Sequence, residues 1–86
     1  MAEEEVGVVE KYFAHPEVAA IKVTKGTISV GDTLHFKGHT TDFVQIVDSV
    51  EIEHEHVETA KVGDDIGIKV KERVRDHDAV YKVIEE

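Results

Sequence analysis

The side chains with the widest chemical range in this sequence are its histidines, and two of them sit among alternating carboxylates. Glu51-Ile52-Glu53-His54-Glu55-His56 places two imidazoles two residues apart. On an extended strand both rings would emerge from one face, and an H-x-H pair of that kind is a zinc geometry. A tetrahedral site needs a third ligand, which His35 or His39 would have to supply from a neighbouring strand. The same alternation is equally the pattern of a solvated strand face. A metal-binding protein built on His54 and His56 is therefore one reading, while no metal ligand set is assigned and no cofactor is expected.

A second cluster is cationic. Lys69, Lys71, Arg73 and Arg75 fall at alternate positions, interleaved with Val70, Glu72, Val74 and Asp76. If extended, the segment presents four positive charges on one face, either solvated or arranged as a stripe that meets phosphate. The remainder of the chain opposes such a ligand. Its 19 acidic residues outnumber 10 basic ones, giving a net charge of −9 over 86 residues. That field repels polyphosphate at long range and favours partners with basic surfaces.

Covalent catalysis finds few candidates. Cysteine is absent, and neither Ser29 nor Ser49 sits in a G-x-S-x-G turn. Paired-carboxylate chemistry needs two carboxyls held across a cleft, which a chain this short does not announce. Nothing reads G-x-x-x-x-G-K-[ST], so no phosphate-cradling loop exists and GTP is not a ligand. The expectation is a protein that is not an enzyme. The acidic start Met1-Ala2-Glu3-Glu4-Glu5 lacks the basic and apolar regions of a signal peptide, and no apolar run reaches spanning length. A cytoplasmic protein without a membrane partner is expected.

The elements that would position these groups are strands. Val30-Gly31-Asp32 recurs as Val62-Gly63-Asp64, each followed by alternating apolar residues and a lysine, Lys37 or Lys69. Glycine admits positive φ, aspartate bonds the turn's own backbone, and the valine would anchor the turn in a core. Val6 to Phe13 reads as one strand and Val18 to Val23 as another, parted by His15-Pro16-Glu17. Leu34 and Phe36, then Ile66, Ile68 and Val70, alternate as inward residues. A long extended stretch from about Phe43 to Val57 has Val44, Ile46, Val50 and Ile52 on one parity, with a bend near Val47-Asp48. Val57 to Lys61 could make one helical turn at most. Val80 to Ile84 closes the chain after a turn at Asp76-His77-Asp78. Residues 1–5 and the final Glu85-Glu86 read as acidic tails flanking one domain over 6–84.

These motifs, taken in order, carry a resemblance. Thr27-Ile28-Ser29-Val30-Gly31-Asp32-Thr33-Leu34-His35-Phe36-Lys37-Gly38 resembles the second domain of translational GTPases of the elongation factor Tu type. Val50-Glu51-Ile52 and Ala60 to Ile68 fall in register with that domain's second half, and Val74 to Val83 with its closing strand, where His77 replaces a customary glycine. His39-Thr40-Thr41-Asp42-Phe43 is similar to the small barrel at the carboxyl end of collagenase-like peptidases. The resemblance implies an all-β fold, a small closed antiparallel Greek-key-type β-barrel of six to seven short strands. It also implies an outer pocket built from Phe36, Gly38, Glu51, His54 and Lys69, although Lys69 and His54 depart from the aliphatic and arginine residues usual there. The expected function is a non-catalytic interaction module docking a protein or ribonucleoprotein partner. The alternative is direct binding of an RNA or tRNA 3′ end, with Lys69 to Arg75 against phosphate.

Overall fold

The described residues form ten strands where six to seven were expected, because several extended stretches divide at turns. The computed structural model describes residues 2–84. Met1 and the Glu85-Glu86 pair read as a tail lie outside the described residues. The strands are β1 (Ala2–Phe13), β2 (Val18–Val23), β3 (Thr27–Ser29), β4 (Thr33–Lys37), β5 (Asp42–Ile46), β6 (Val50–Ile52), β7 (Glu55–Val57), β8 (Thr59–Lys61), β9 (Asp65–Lys69) and β10 (Ala79–Ile84). Every ladder is antiparallel, and the described residues contain no helix. The turn expected near Val57 to Lys61 is strand β8, paired with β3. Glu3, Glu4 and Glu5, read as an acidic tail, are exposed residues of strand β1, opposite Val83, Lys82 and Tyr81 of β10.

Eight strands form one sheet in the order β5-β4-β10-β1-β2-β9-β6-β7, and β3 pairs with β8 in a second. No ladder joins β5 to β7, so the expected closed barrel is, at backbone level, an open sheet that curls on itself. The curl brings β5 beside residues 69–71, where one side chain spans the gap. Gln45 Nε2 donates to the Lys69 carbonyl, and Gln45 Oε1 accepts from the Lys71 N–H, both at 2.9 Å. Bonds to the residues on either side of Val70 are the pattern a parallel neighbouring strand would make. A carboxamide stands in for a peptide unit.

The interior is apolar and fully covered. Val9, Ile21, Ile28, Leu34, Phe36, Val50 and Val80 have no solvent exposure. Burial of each such side chain contributes about 1.5–3 kcal/mol. Ile66, Ile68 and Val70 point inward as their alternation predicts. The stretch from Phe43 does not follow its expected parity: Val44 and Ile46 are exposed, while Phe43 is buried and stacks on Phe36 with ring centroids 5.0 Å apart. An aromatic ring opposite Phe36 buries more area than either aliphatic neighbour, and that sets the face.

The repeated triplets build matching turns. Gly31 and Gly63 have φ of 95° and 94°, which suits the third position of a type II turn. Asp32 Oδ2 accepts from the Ser29 N–H at 2.7 Å, and Asp64 Oδ2 from the Lys61 N–H at 2.9 Å. The valines were expected in the core, yet Val30 and Val62 are 39% and 57% exposed, because the second turn position directs its side chain outward. A third copy was less visible in the sequence. Asp78 Oδ2 accepts from the Arg75 N–H at 2.8 Å, and His77 takes the glycine position at φ 73°.

Candidate functional site

The five residues expected to form an outer pocket do not assemble. Phe36 is wholly buried and has no face to offer a ligand. Gly38 is needed for packing: a Cβ there would collide with the carboxylate of Asp78, which is only 5% exposed. Lys69 lies at the β5 seam, in a depression shared with Lys71, Gln45 and Val44. Glu51 and His54 do come together, at a different groove.

That groove, of about 570 Å³, is lined by Phe13, Pro16, Val18, Ala20, Glu51, Glu53, His54, Asp65, Ile66 and Gly67. Its floor follows from register. Ala20 of β2 pairs with Gly67 of β9, and Gly67 with Glu51 of β6, so two of the smallest residues lie side by side on the outer face. Small outward residues flanked by larger ones leave a trough. One wall is the end of the β1–β2 hairpin, where Phe13 is 43% exposed beside Pro16 and Val18. The other is the β6–β7 hairpin. Glu53 and His54 form its two-residue loop, with φ of 50° and 67°, the conformation of a type I′ turn.

This hairpin corrects the zinc geometry expected from His54 and His56. His54 occupies the loop while His56 lies on β7 opposite Glu51, so the two rings do not share a strand face. His56 Nε2 is 3.7 Å from Glu51 Oε2. Among the described residues no group of three or more histidines, aspartates and glutamates could hold a metal ion.

Carboxylates dominate the groove's electrostatics. Glu51, Glu53 and Asp65 line it, and Lys22 Nζ approaches Asp65 to 3.5 Å. A hydrogen bond with Asp65 raises the pKa of the neighbouring Glu10 above the ordinary carboxylate value, because two carboxyls compete there for one proton. The trough is apolar below and anionic at its rim.

The cationic stripe also differs from expectation. Strand β9 ends at Lys69, and residues 70–78 are irregular, so the four basic side chains do not share a strand face. They separate into two pairs: Lys69 and Lys71 at the seam, Arg73 and Arg75 in a depression with Tyr12.

A titratable cluster not anticipated from sequence lies on the opposite part of the sheet. His35 Nδ1 is 2.8 Å from Glu3 Oε2, and His35 Nε2 is 2.5 Å from Asp42 Oδ1. Two carboxylates on one ring require both nitrogens to donate, which only the imidazolium can do. The hydrogen bond that His35 donates to Asp42 is the largest influence raising the His35 pKa; burial opposes it and Glu3 assists. Asp42 is in turn held below its usual value by His35.

No family model matches the chain. The fold has close counterparts among solved structures. The C-terminal domain of a Geobacillus thermoleovorans protein named as a U32 peptidase superposes with a TM-score of 0.87, covering 94% of this chain and 93% of that one at 20% identity. Its selenomethionine variant gives 0.84. In sequence, the chain is 37% identical over 78 residues, 90% of its length, to an uncharacterized protease of Methanocaldococcus jannaschii and to a collagenase of Porphyromonas gingivalis. It spans 19% and 22% of those relatives, about a fifth of each. The peptidase side of the expected resemblance is thus supported. The expectation of a protein that is not an enzyme is contradicted at the level of its relatives, which carry the names protease and collagenase. No helix of the described residues is long and apolar enough to cross a membrane.

Proposed function

We propose that this chain is the β-domain of a U32-type peptidase system and that it docks an extended polypeptide in the groove floored by Ala20 and Gly67. One observation carries the reading: small outward residues aligned across β2 and β9, with an exposed Phe13 on one side and Glu51 and Glu53 on the other. An extended peptide could seat an apolar side chain on that floor. A neighbouring lysine or arginine would then reach the carboxylate rim, matching the acidic field of the whole chain.

The collagenase name of one relative supplies the first probe, denatured collagen, whose chains are extended and rich in proline. Immobilised gelatin retains the wild-type protein, and Ala20→Leu, which fills the floor without entering the core, weakens retention at least tenfold. Retention that is absent, or unaffected by Ala20→Leu, overturns the proposal.

A further inference from the structure

The chain has only two arginines, Arg73 and Arg75, and both line one depression of about 370 Å³ together with Tyr12, Val74 and Asp76. We propose that this depression binds a phosphate monoester. Each guanidinium is held in place by a neutral group. Arg73 lies over the Tyr12 ring, 5.9 Å from its centroid. Arg75 Nε donates to Thr40 Oγ1 at 2.9 Å, leaving the four terminal N–H groups of that side chain uncommitted.

Among the described residues neither arginine pairs with a carboxylate. Among the described residues the ion pairs use Lys22, His35, His56 and Lys82, and no acidic oxygen lies within 4.0 Å of Arg73 or Arg75. Six lysines share that lack among the described residues; what sets the arginines apart is that both line one depression. Arginine presents its donors as a planar fork, and one fork satisfies one carboxylate. Two forks in one concavity offer more donors and charge than a carboxylate uses. A phosphate monoester, with three terminal oxygens and a charge near −2, matches both. Asp76, on the wall, adds a negative charge that a ligand must avoid, so the site favours a small terminal phosphate over a continuous polyanion. This inference is independent of the peptide groove, which lies on the Phe13 side of the β1 terminus.

Titration of the intact chain at fixed ionic strength, followed by backbone amide shifts, tests it with four probes: inorganic phosphate, O-phosphoserine, adenosine 5′-monophosphate and acetate. Inorganic phosphate gives saturable shifts centred on residues 73–78 and Tyr12, with a dissociation constant of about 1 mM. Affinity for the two monoesters rises between about pH 5.5 and about pH 7.5 as their dianions form. Tighter binding of phosphoserine or of the mononucleotide identifies the source of the phosphate. R73Q/R75Q weakens binding at least tenfold. R75K keeps the charge and the fold but loses the fork, and weakens it several-fold. Acetate shifts equal to those of phosphate, shifts that do not saturate, or affinity unchanged in R75K would each overturn the proposal.

Discussion

Two of the three aspartate turns carry glycine at the left-handed position and the third carries His77, yet all close with the same pair of bonds. In each, the aspartate N–H donates to the carbonyl three residues back, at 3.0 Å for Asp32 and Asp64 and 3.1 Å for Asp78. In each, the carboxylate accepts the returning N–H. The aspartate closure is thus compatible with either residue, and glycine lowers its conformational cost. A neighbouring segment clamps each turn in the same way: the His77 N–H donates to the Val9 carbonyl at 2.7 Å and the Val9 N–H to the Asp78 carbonyl at 2.8 Å, while Val47 exchanges the matching bonds with Gly31 and Asp32, and Val23 with Gly63 and Asp64. What sets the third turn apart is its aspartate, which is buried, whereas Asp32 and Asp64 are partly exposed.

The largest effect expected from this contrast lies outside the turns themselves. Gly38→Ala pushes a methyl group into the Asp78 carboxylate and destabilises the fold by about 2 kcal/mol, a loss measurable by urea unfolding. Asp78→Ala strands the Arg75 N–H at a similar cost. Because both act on one contact, the double variant loses clearly less than the sum; simple additivity would show that Gly38 is not there to clear Asp78.

Next in size are Gly31→Ala and Gly63→Ala. A Cβ at either position meets nothing within 4 Å, so the cost is backbone strain alone, about 1–2 kcal/mol each. In a domain of this size, each kcal/mol lowers the melting temperature by roughly 4–8 °C. Equal losses at the two sites would confirm that the repeated turns are energetically equivalent.

The turn carboxylates bond backbone N–H groups, which do not titrate. Glu3 and Asp42 instead bond His35, and the comparison becomes a pH experiment. A raised His35 pKa means its contribution is complete below the unfolded value near 6.5 and is lost as pH climbs through the higher folded value. The lowered Asp42 pKa contributes above 3.8 and is lost as pH falls through the lower folded value. The clamp therefore works best between those limits. The wild type should lose melting temperature on the alkaline side of pH 6.5 relative to His35→Gln, and parallel profiles would remove the clamp from the account.

The smallest effect has the opposite sign. His77→Gly relieves a left-handed residue but gives the unfolded chain more freedom, for a net gain of at most about 1 kcal/mol. A loss would mean that the imidazole makes a contact of its own.

Legibility in the sequence followed the range of the signal. Strands with strict alternation and a marked turn were readable: Leu34 and Phe36 after Gly31, and Ile66 and Ile68 after Gly63. The hairpin at Glu53-His54 was not, because a type I′ loop is usually announced by asparagine or glycine, and neither is present. Parity failed at Val44 and Ile46, where tertiary pairing of Phe43 with Phe36 decided the face. The groove was invisible for another reason. Ala20 and Gly67 are 47 positions apart, and only their register makes them a floor. Their one local trace was a small residue at an outward position of each strand. The third turn was read at Asp76-His77-Asp78, but without a glycine it did not stand out as a copy of the other two.

The carboxamide of Gln45 has a consequence for how the molecule behaves at high concentration. β5 ends the sheet and carries two exposed aliphatics, Val44 and Ile46, the profile of an edge that recruits a strand from another molecule. By occupying the main-chain groups flanking Val70, Gln45 fills the lane an incoming strand would use. Protection against edge-to-edge aggregation on this side of the domain is concentrated in a single neutral side chain.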